Sequence, residues 1–405
     1  MNGPLRGFRI VDLTHAIAGP WCTMILGDMG AEVIKIEPPV PYQARRFGGP
    51  KYKGEPFFHL AFNRSKKSLT LNLRTKGGRE ALLNLVKISD VVVDNFRPKV
   101  LKGLGLDYDS LVKVNSKIIT CGITGYGPSG PYCDRPSFDL IVAALSGTCD
   151  LTGEPDGKPV RPGPAIGDIL AGTLASGGIC AALLEREKTG KGQRIDIGML
   201  DASVAMLAYQ IAWYFCGGGV PKRMGAGHLA LVPYNIYKTQ TKYIAIAIGW
   251  PRVCRALNLE WMIDDPRFQS HDLRIQHREI IDKAIQDRLM EASAEDWLAL
   301  LEVEDIAAAP VNDISEVVED PQVKYRNMVI EVEHPLGGWI KLAGNPVKMP
   351  DSIDDSSYEP PPTLGQHNYE ILCNVMGYSR EEADKVLDEG KAAIAELEEH
   401  LYRTI

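Results

Sequence analysis

The 405-residue chain lacks the sequence marks of several classes of protein. Its eight cysteines form no C-x-x-C pair and no spacing with histidine that is typical of zinc, so we expect reduced thiols and no metal site. Positive charge is not in excess: 45 Lys and Arg against 52 Asp and Glu give a net charge of −7, which disfavours nucleic acid as a partner. A G-x-S-x-G turn, which would mark a serine nucleophile, is also absent.

Long apolar runs are scarce as well. Residues 163–184, GPAIGDILAGTLASGGICAALL, nearly reach the length of a membrane span, but their glycines, Asp168 and a charged exit at 185–188 favour a buried helix. The first residues run almost directly into strand-like sequence, where we expect no targeting segment. These observations predict a cytoplasmic protein with no membrane partner.

The first 125 residues alternate strand-like and helical segments. Short β-branched runs cover 8–13, 31–37, 67–73, 90–95 and 117–123, and helical apolar spacing covers 20–30 and 77–89. This alternation indicates right-handed βαβ units and a parallel, doubly wound sheet. The turn after the first run, DLTHAIAGPWC, has no G-x-G-x-x-G, which disfavours a dinucleotide site and predicts that Glu37 is a surface acid at a strand end.

A glycine-rich break divides the chain into parts. We expect an α/β large domain over 1–215, a linker over 216–228, a smaller α+β domain over 229–327 and a C-terminal segment over 328–405. Within them we predict a strand and one long helix over 190–215, a hairpin from 232–239 and 242–249, helices over 252–319, a hairpin over 329–344 and a charged helix over 380–402.

Asp168 is the only charged residue from Gly163 to Leu184, and two interpretations of it stay open. The structural one is a helix N-cap, because Asp after a glycine-containing turn commonly accepts the free N–H groups of the first turn. The functional one is a nucleophile, since a carboxylate at the positive end of a helix dipole would be held ionised at neutral pH. The two roles do not exclude each other.

Two polar runs place Arg and Lys beside strand ends, NRSKKSLTLNLR (63–74) and NFRPKVLKGLGLDY (95–108). In a doubly wound sheet ligands bind outside the carboxyl ends of the strands, so Arg74, Arg97 and Lys102 are candidates to hold a phosphorylated ligand. The alternative is an ordinary solvated face. Phe96 would suit core packing or stacking on an adenine.

Six segments together resemble one enzyme family. In chain order they are HAIAGPWCTMILGDMGAEVIKIE, NRSKKSLTLNL, NFRPKVLKGLGLDYDSL, ITGYGPSGPY, GDILAG and KTGKGQRIDIGMLDA. The set is similar to that of the family III CoA-transferases, the superfamily of formyl-CoA transferase, carnitine CoA-transferase and the acyl-CoA racemases. EPDGKPVRPG (154–163) and VPYNIYKT (232–239) resemble its succinyl-CoA–dicarboxylate branch.

The resemblance implies a Rossmann-like large domain, formed by the N-terminal half and the C-terminal segment, a smaller α+β domain and an interlocked-ring homodimer. It implies transfer of CoA from an acyl-CoA donor, best succinyl-CoA, to a carboxylic acid, best a dicarboxylate. Coenzyme A is then part of the substrate, and no prosthetic group is expected. The family nucleophile, the Asp of G-D-x-x-x-G, corresponds to Asp168. The family's CoA contacts fall on Ala16, Leu71, Arg74, Asn95, Phe96, Arg97 and Met199.

Two departures from the family pattern bear on the reaction. The formyl-CoA enzyme has glutamine where Ile17 stands, which disfavours formate or oxalate as a substrate. The racemase branch has a catalytic histidine where Phe138 stands, and phenylalanine cannot shuttle a proton. An acyl-CoA racemase or isomerase remains one alternative, and one subunit of a heteromeric transferase, such as the benzylsuccinate type, is the other.

The implied reaction needs further groups around the nucleophile. Tetrahedral oxyanions require N–H donors, which we expect from the loop backbone at Ala16, Ile17 and Ala18. His15 either orients this loop or is simply packed. A dicarboxylate acceptor also needs a cation, because its second carboxylate would otherwise be buried unpaired. The candidates for that cation are Arg46, Arg223 and His228.

Overall fold

The computed structural model describes residues 3–42 and 45–394, which divide into two compact units. The first comprises the described parts of Met1–Ser146, Gly163–Met206 and Pro321–Ile405, and the second comprises Gly147–Pro162 and Leu207–Asp320. Where we expected an unbroken large-domain portion over 1–215, residues 147–162 and 207–215 go with the second unit.

Six parallel strands form the central sheet of the first unit. They are β1 (Arg9–Asp12), β2 (Glu32–Glu37), β3 (Lys66–Thr70), β4 (Val91–Asp94), β5 (Ile119–Thr124) and β6 (Arg194–Gly198). Their order across the sheet is β3-β2-β1-β4-β5-β6, and every neighbouring pair is parallel. The predicted parallel sheet is confirmed, and its strand order reverses between β1 and β4, as in doubly wound folds.

Helices and two hairpins complete this unit. Four helices matter for the site, α1 (Ala18–Asp28), α2 (Asp139–Leu145), α3 (Ile166–Thr189) and α4 (Met199–Met206). The others are Phe57–Phe62, Lys76–Lys87, Pro98–Leu104, Tyr108–Leu111, Pro321–Tyr325, a π-helical turn at Glu370–Val375, and Arg380–Ala392. The hairpins pair Lys51–Tyr52 with Glu55–Pro56 and Val329–Glu333 with Trp339–Ala343. The charged helix predicted over 380–402 is found as Arg380–Ala392, and the part of the prediction beyond residue 394 lies outside the described residues.

The sheet is buried on both faces, which explains the apolar run VVV of β4, whereas β2 and β3 also bury charged side chains. Ile10 and Val91 pack on one face with α1 and α3, while Val11 and Val92 pack on the other with the helices at Lys76–Lys87 and Arg380–Ala392. Helix α3 is long and apolar enough to cross a membrane by length and composition alone. Its Ala and Ile side chains belong to the first of these two cores, so we interpret it as a core helix.

The second unit contains a three-stranded antiparallel sheet with Tyr243–Ala247 between Tyr234–Lys238 and Ala307–Pro310. The predicted hairpin from 232–239 and 242–249 is confirmed, whereas the strand Ala307–Pro310 was missed because AAAP has no β-branched residue. The long helix predicted up to residue 215 is interrupted after Met206. Helices of the unit are Thr148–Leu151, Ala208–Trp213, Arg252–Ala256, Trp261–Asp264, His271–Gln276, Arg278–Leu289, Ala294–Val303 and Ile314–Val317, with a π-helical turn at Tyr214–Gly218 and a 3₁₀ turn at Pro266–Phe268.

Candidate active site

The loop after β1 is clamped where the strand order of the sheet reverses. Asn95, directly after β4, accepts a hydrogen bond from the His15 N–H at 3.0 Å through Oδ1, and its Nδ2 donates to the His15 carbonyl at 2.8 Å. The His15 ring makes edge contacts with Tyr42 and Phe96, with ring centroids 5.1 and 5.6 Å apart. Ligands of doubly wound folds bind at this reversal point. The loop is therefore the first component of a candidate site.

The clamp holds this loop in an uncommon conformation. Ala16 has φ +60°, in the left-handed region that a residue with a Cβ seldom adopts. Two residues later α1 begins at Ala18, which presents the free N–H groups of its first turn at the same edge of the sheet.

Asp168 lies in the first turn of α3, as the third residue of that helix. The backbone N–H of Ala18 faces its carboxylate and lowers the pKa of Asp168, so the N-termini of α1 and α3 lie together at this side chain. The prediction that Asp168 is an N-cap is wrong, because the cap residue is Ala165, which makes no side-chain cap bond.

Another carboxylate serves the first turn of α3 in its place. Asp139, the first residue of α2, accepts a hydrogen bond from the Gly167 N–H at 2.9 Å. A Cβ on Gly167 would lie 3.2 Å from the same Asp139 oxygen, so a larger residue next to Asp168 would press on the carboxylate that accepts this bond. Asp139 was missed in the sequence, although an acid at the start of the helical segment after PSF was a visible signal.

The second glycine of GDILAG sets how closely two helices approach. An ideal Cβ on Gly172 would lie 2.3 Å from the Ala18 carbonyl oxygen and 3.0 Å from Cδ1 of Trp21. Only glycine therefore allows α1 to lie this close to α3 at position 172, and this approach brings the Ala18 amide to Asp168. The indole Nε1 of Trp21 adds a 2.9 Å hydrogen bond to the Thr173 hydroxyl.

Burial raises the pKa of Asp168 to about 7, the charge of Asp139 adds to the rise, and the Ala18 N–H opposes it. Our prediction that the helix terminus holds Asp168 ionised at neutral pH is therefore wrong, since both protonation states are populated there. A carboxylate with a pKa near neutrality is still available as a nucleophile, and the helix terminus offers it a partly desolvated setting.

The residues expected to contact CoA follow several strands of the sheet. Ala16 comes after β1, Leu71 after β3, Asn95 after β4 and Met199 after β6, so parallel strand ends bring them to one edge. Leu71 and Met199 are buried in the cores, whereas Arg74 and Arg97 are exposed. Phe96 is half-buried and packs partly against the core. These contacts remain a proposal.

The basic run at 63–74 serves structural ion pairs more than a ligand. Arg64 is buried and pairs with Asp28 at 2.8 Å, and Lys66 is buried and pairs with Asp12 at 3.1 Å. Sequence inspection could not find these pairs, because the partners stand on distant segments. Arg74, at the end of the run, is exposed at the edge where the predicted phosphate would bind.

Glu37 is buried, so the prediction of a surface acid is wrong. Both of its carboxylate oxygens accept hydrogen bonds from Arg45, at 2.7 and 3.0 Å, and this pairing outweighs burial and lowers the pKa of Glu37 to about 2. Arg45 is thus committed to the fold, whereas its neighbour Arg46, a candidate cation for the acceptor acid, is exposed.

The other two candidate cations belong to the second unit. Arg223 is half-buried, and its Nη1 donates to the Asp150 carboxylate at 2.8 Å and to the Asp150 carbonyl at 2.9 Å. His228 stacks on Tyr209, with ring centroids 5.7 Å apart and an interplanar angle of 20°. The glycine-rich segment that carries them is therefore anchored within its own unit.

Among residues 3–42 and 45–394, no group of three or more His, Cys, Asp or Glu side chains could hold a metal ion.

Comparisons with known proteins bear on the whole chain. The sequence model of CoA-transferase family III matches residues 5–368. The chain is 40% identical over 392 residues to a succinyl-CoA:glutarate CoA-transferase of Mus musculus, covering 96% of this chain and 90% of the relative. It is 36% identical over 384 residues to a succinate–glutarate CoA-transferase of Agrobacterium fabrum, covering 92% and 96%. A crystal structure of a CAIB/BAIF family protein from Brucella suis matches with a TM-score of 0.83 and 34% identity, covering 93% of this chain and 100% of that one.

Proposed function

The chain belongs to CoA-transferase family III, and from that premise we propose that it transfers CoA from succinyl-CoA to a dicarboxylic acid such as glutarate, through covalent intermediates on Asp168. The position of Asp168 carries the proposal. Its carboxylate lies where two helix N-termini meet, at the edge of the sheet where ligands of doubly wound folds bind. The activities named for the two relatives supply the donor and the acceptor.

The reaction proceeds by four acyl substitutions that conserve the energy of the thioester. An oxygen of Asp168 attacks the thioester carbon of succinyl-CoA, the C–S bond breaks, and CoA leaves as a thiolate from a mixed anhydride. The thiolate then attacks the aspartyl carbonyl, which releases succinate and forms an aspartyl-CoA thioester. The acceptor carboxylate reverses both steps, forming its own anhydride and then its CoA thioester, and Asp168 is regenerated. A serine ester would lack the energy for this exchange.

The loop after β1 supplies donors for the oxyanion of each tetrahedral intermediate. The His15 N–H donates to Asn95, and the Ala18 N–H faces Asp168 itself. The N–H groups of Ala16 and Ile17 donate to no other residue in the part of the chain that the structure describes. We assign these two amides to the oxyanion.

The acceptor needs a cation for the carboxylate that does not react, because an unpaired buried charge is strongly unfavourable. Arg46, Arg223 and His228 are the candidates, of which Arg223 already holds a carboxylate, that of Asp150. We also propose a cytoplasmic location, which the eight free cysteines suit.

The test is acyl transfer by the protein purified alone, in deuterated buffer, with succinyl-CoA and a series of mono- and dicarboxylic acids. We expect glutaryl-CoA and succinate in equal amounts, with no deuterium at the α-carbon. Deuterium exchange without transfer would instead identify a racemase, and activity only with a second protein would identify a subunit of a heteromer.

Arg223→Ala should raise KM for glutarate and leave KM for a monocarboxylic acid unaffected. Unchanged kcat/KM for both acids would remove Arg223 from the acceptor pocket.

A further inference from the structure

A buried charged cluster adjoins the loop after β1, and the proposed reaction steps do not use it. Asp12, at the end of β1, lies 3.1 Å from the Lys66 ammonium and 3.8 Å from the Lys35 ammonium. All three side chains are at most 6% exposed. Two ammonium groups with one carboxylate leave a net positive charge inside the protein, which is costly unless every hydrogen finds an acceptor.

The hydrogen bonds of the cluster end on the loop and on the first turn of α1. Lys35 Nζ donates to the Thr14 carbonyl at 2.8 Å, and Lys66 Nζ donates to the Pro20 carbonyl at 2.9 Å. Asp12 Oδ1 accepts from the N–H and the hydroxyl of Thr14, at 2.8 and 2.5 Å. The cluster therefore holds both ends of the short segment that carries the two oxyanion amides.

One peptide group in this segment is fixed from two directions. The carbonyl of Thr14 and the N–H of His15 belong to the same planar unit, and they accept from Lys35 and donate to Asn95, respectively. A peptide plane bonded through both its C=O and its N–H cannot rotate without losing one of the two bonds. The next plane, His15–Ala16, is held through its carbonyl by Asn95 Nδ2, so two consecutive fixed planes lead into Ala16 with its positive φ.

We propose that Lys35 is a positioning residue for CoA transfer, which fixes the Thr14–His15 peptide so that the amides of Ala16 and Ile17 stay directed at the oxyanion. This inference rests on the proposed function. Lys66 supports this role of Lys35, because it forms the closer ion pair with Asp12. The Lys35 ammonium can therefore donate to the loop carbonyl instead of to the Asp12 carboxylate.

The charge of Lys35 also reaches His15, which gives a second observable. Burial and the charge of Lys35 together lower the pKa of His15 to about 4, and the carboxylates of Asp12 and Glu37 act in the opposite direction. A neutral side chain at position 35 should therefore raise the pKa of His15. The nearby cation Arg45 stays paired with Glu37 and is unchanged by that substitution.

The experiment compares Lys35→Met and Lys35→Gln with Lys67→Met. Lys67 is the matched control, because it stands on the neighbouring strand but pairs with Glu32 and Glu370, both at 2.8 Å, away from the loop. The measured quantities are the rate of aspartyl-CoA thioester formation from succinyl-CoA, by rapid quench and intact mass, the affinity for CoA, and the His15 pKa from NMR of labelled histidine.

We expect Lys35→Met to slow thioester formation by about 10- to 100-fold, because misplaced oxyanion donors lose transition-state stabilisation, with CoA affinity changed less than about threefold. Lys35→Gln keeps a donor and should recover part of the rate. Lys67→Met should match the wild type in rate and in the His15 pKa.

A wild-type rate in Lys35→Met would overturn the proposal, as would a loss of rate matched by an equal loss of CoA affinity with no change at His15. If Lys35→Met does not fold, the same comparison is made with Lys35→Leu, which also lacks a donor and where a wild-type rate overturns the proposal. Failure of the wild type itself to form a thioester would reject the proposed function, and the inference with it, which is a distinct result.

Discussion

At the residue scale, the properties of Asp168 come from neighbours that its own sequence segment does not contain. Its isolation among apolar residues identified it as a candidate, but a cap and a nucleophile look alike at that level. The structure excludes the cap, because Ala165 occupies the cap position and Asp139 accepts the Gly167 N–H, while the nucleophile role stays our proposal. Asp139 precedes the Gly167 amide by 28 residues, so no local pattern could join the two.

The loss of activity at low pH should depend on the carboxylates of Asp168 and Asp139. Because the pKa of Asp168 is about 7, kcat/KM for succinyl-CoA should rise with pH through that value as the nucleophile ionises. Asp139→Asn keeps an acceptor for the Gly167 N–H and removes a like charge, so the pKa of Asp168 falls and this rise moves to lower pH. The check is a pH–rate profile, with the exposed Asp109→Asn as control. A rise that stays in place would show that Asp139 does not act on Asp168.

At the scale of elements, strand positions were predicted well and helix continuity was not. The runs at 31–37 and 90–95 became β2 and β4 within a residue or so, since both contain the Val and Ile residues that favour strands. The apolar stretch up to residue 215 showed no break in sequence, yet α4 ends at Met206 where the chain passes to the second unit. Apolar periodicity reports a buried face and says little about which unit buries it.

The contact between α1 and α3 gives a prediction about one methyl group. Gly172→Ala would place a Cβ 2.3 Å from a backbone oxygen of Ala18, so the helices must separate and the Ala18 amide moves away from Asp168. We expect a loss of CoA transfer of at least about tenfold together with a lower thermal midpoint.

The control for this change lies on the same helix. Gly177→Ala meets nothing within 4 Å, and alanine is the better helix former, so stability should stay equal or rise slightly with full activity. Equal behaviour of the two variants would contradict the role given to the α1–α3 contact.

At the scale of the whole molecule, periodicity predicted a parallel sheet, while the reaction came from resemblance between motifs. The strand order and the reversal between β1 and β4 locate the site, but many unrelated chemistries use that position. The buried network of Asp12, Lys35 and Lys66 was not predictable, because its members stand on three strands and look like ordinary charged residues in sequence. Charged residues are rarely fully buried, which made a solvated face the natural interpretation.

We propose that the molecule is the interlocked homodimer that the resemblance implies. Around α2 the apolar side chains of Phe138, Leu140 and Ile141 are 71, 52 and 47% exposed in the single chain, which is unusual for a soluble monomer and fits burial in an assembly. Light scattering should give twice the chain mass. Two differently tagged preparations should not exchange subunits without unfolding, because interlocked chains cannot separate while folded. A monomer mass or rapid exchange would contradict this assembly.

The most direct test of the central claim is mass spectrometry of the protein after incubation with succinyl-CoA, for the wild type and Asp168→Ala, with hydroxylamine or borohydride as the trap. We predict a modification of the wild type that maps to Asp168, as a hydroxamate or a reduced alcohol, and none in the variant. No modification of the wild type despite measurable CoA binding, or equal modification of both proteins, would contradict the covalent route through Asp168.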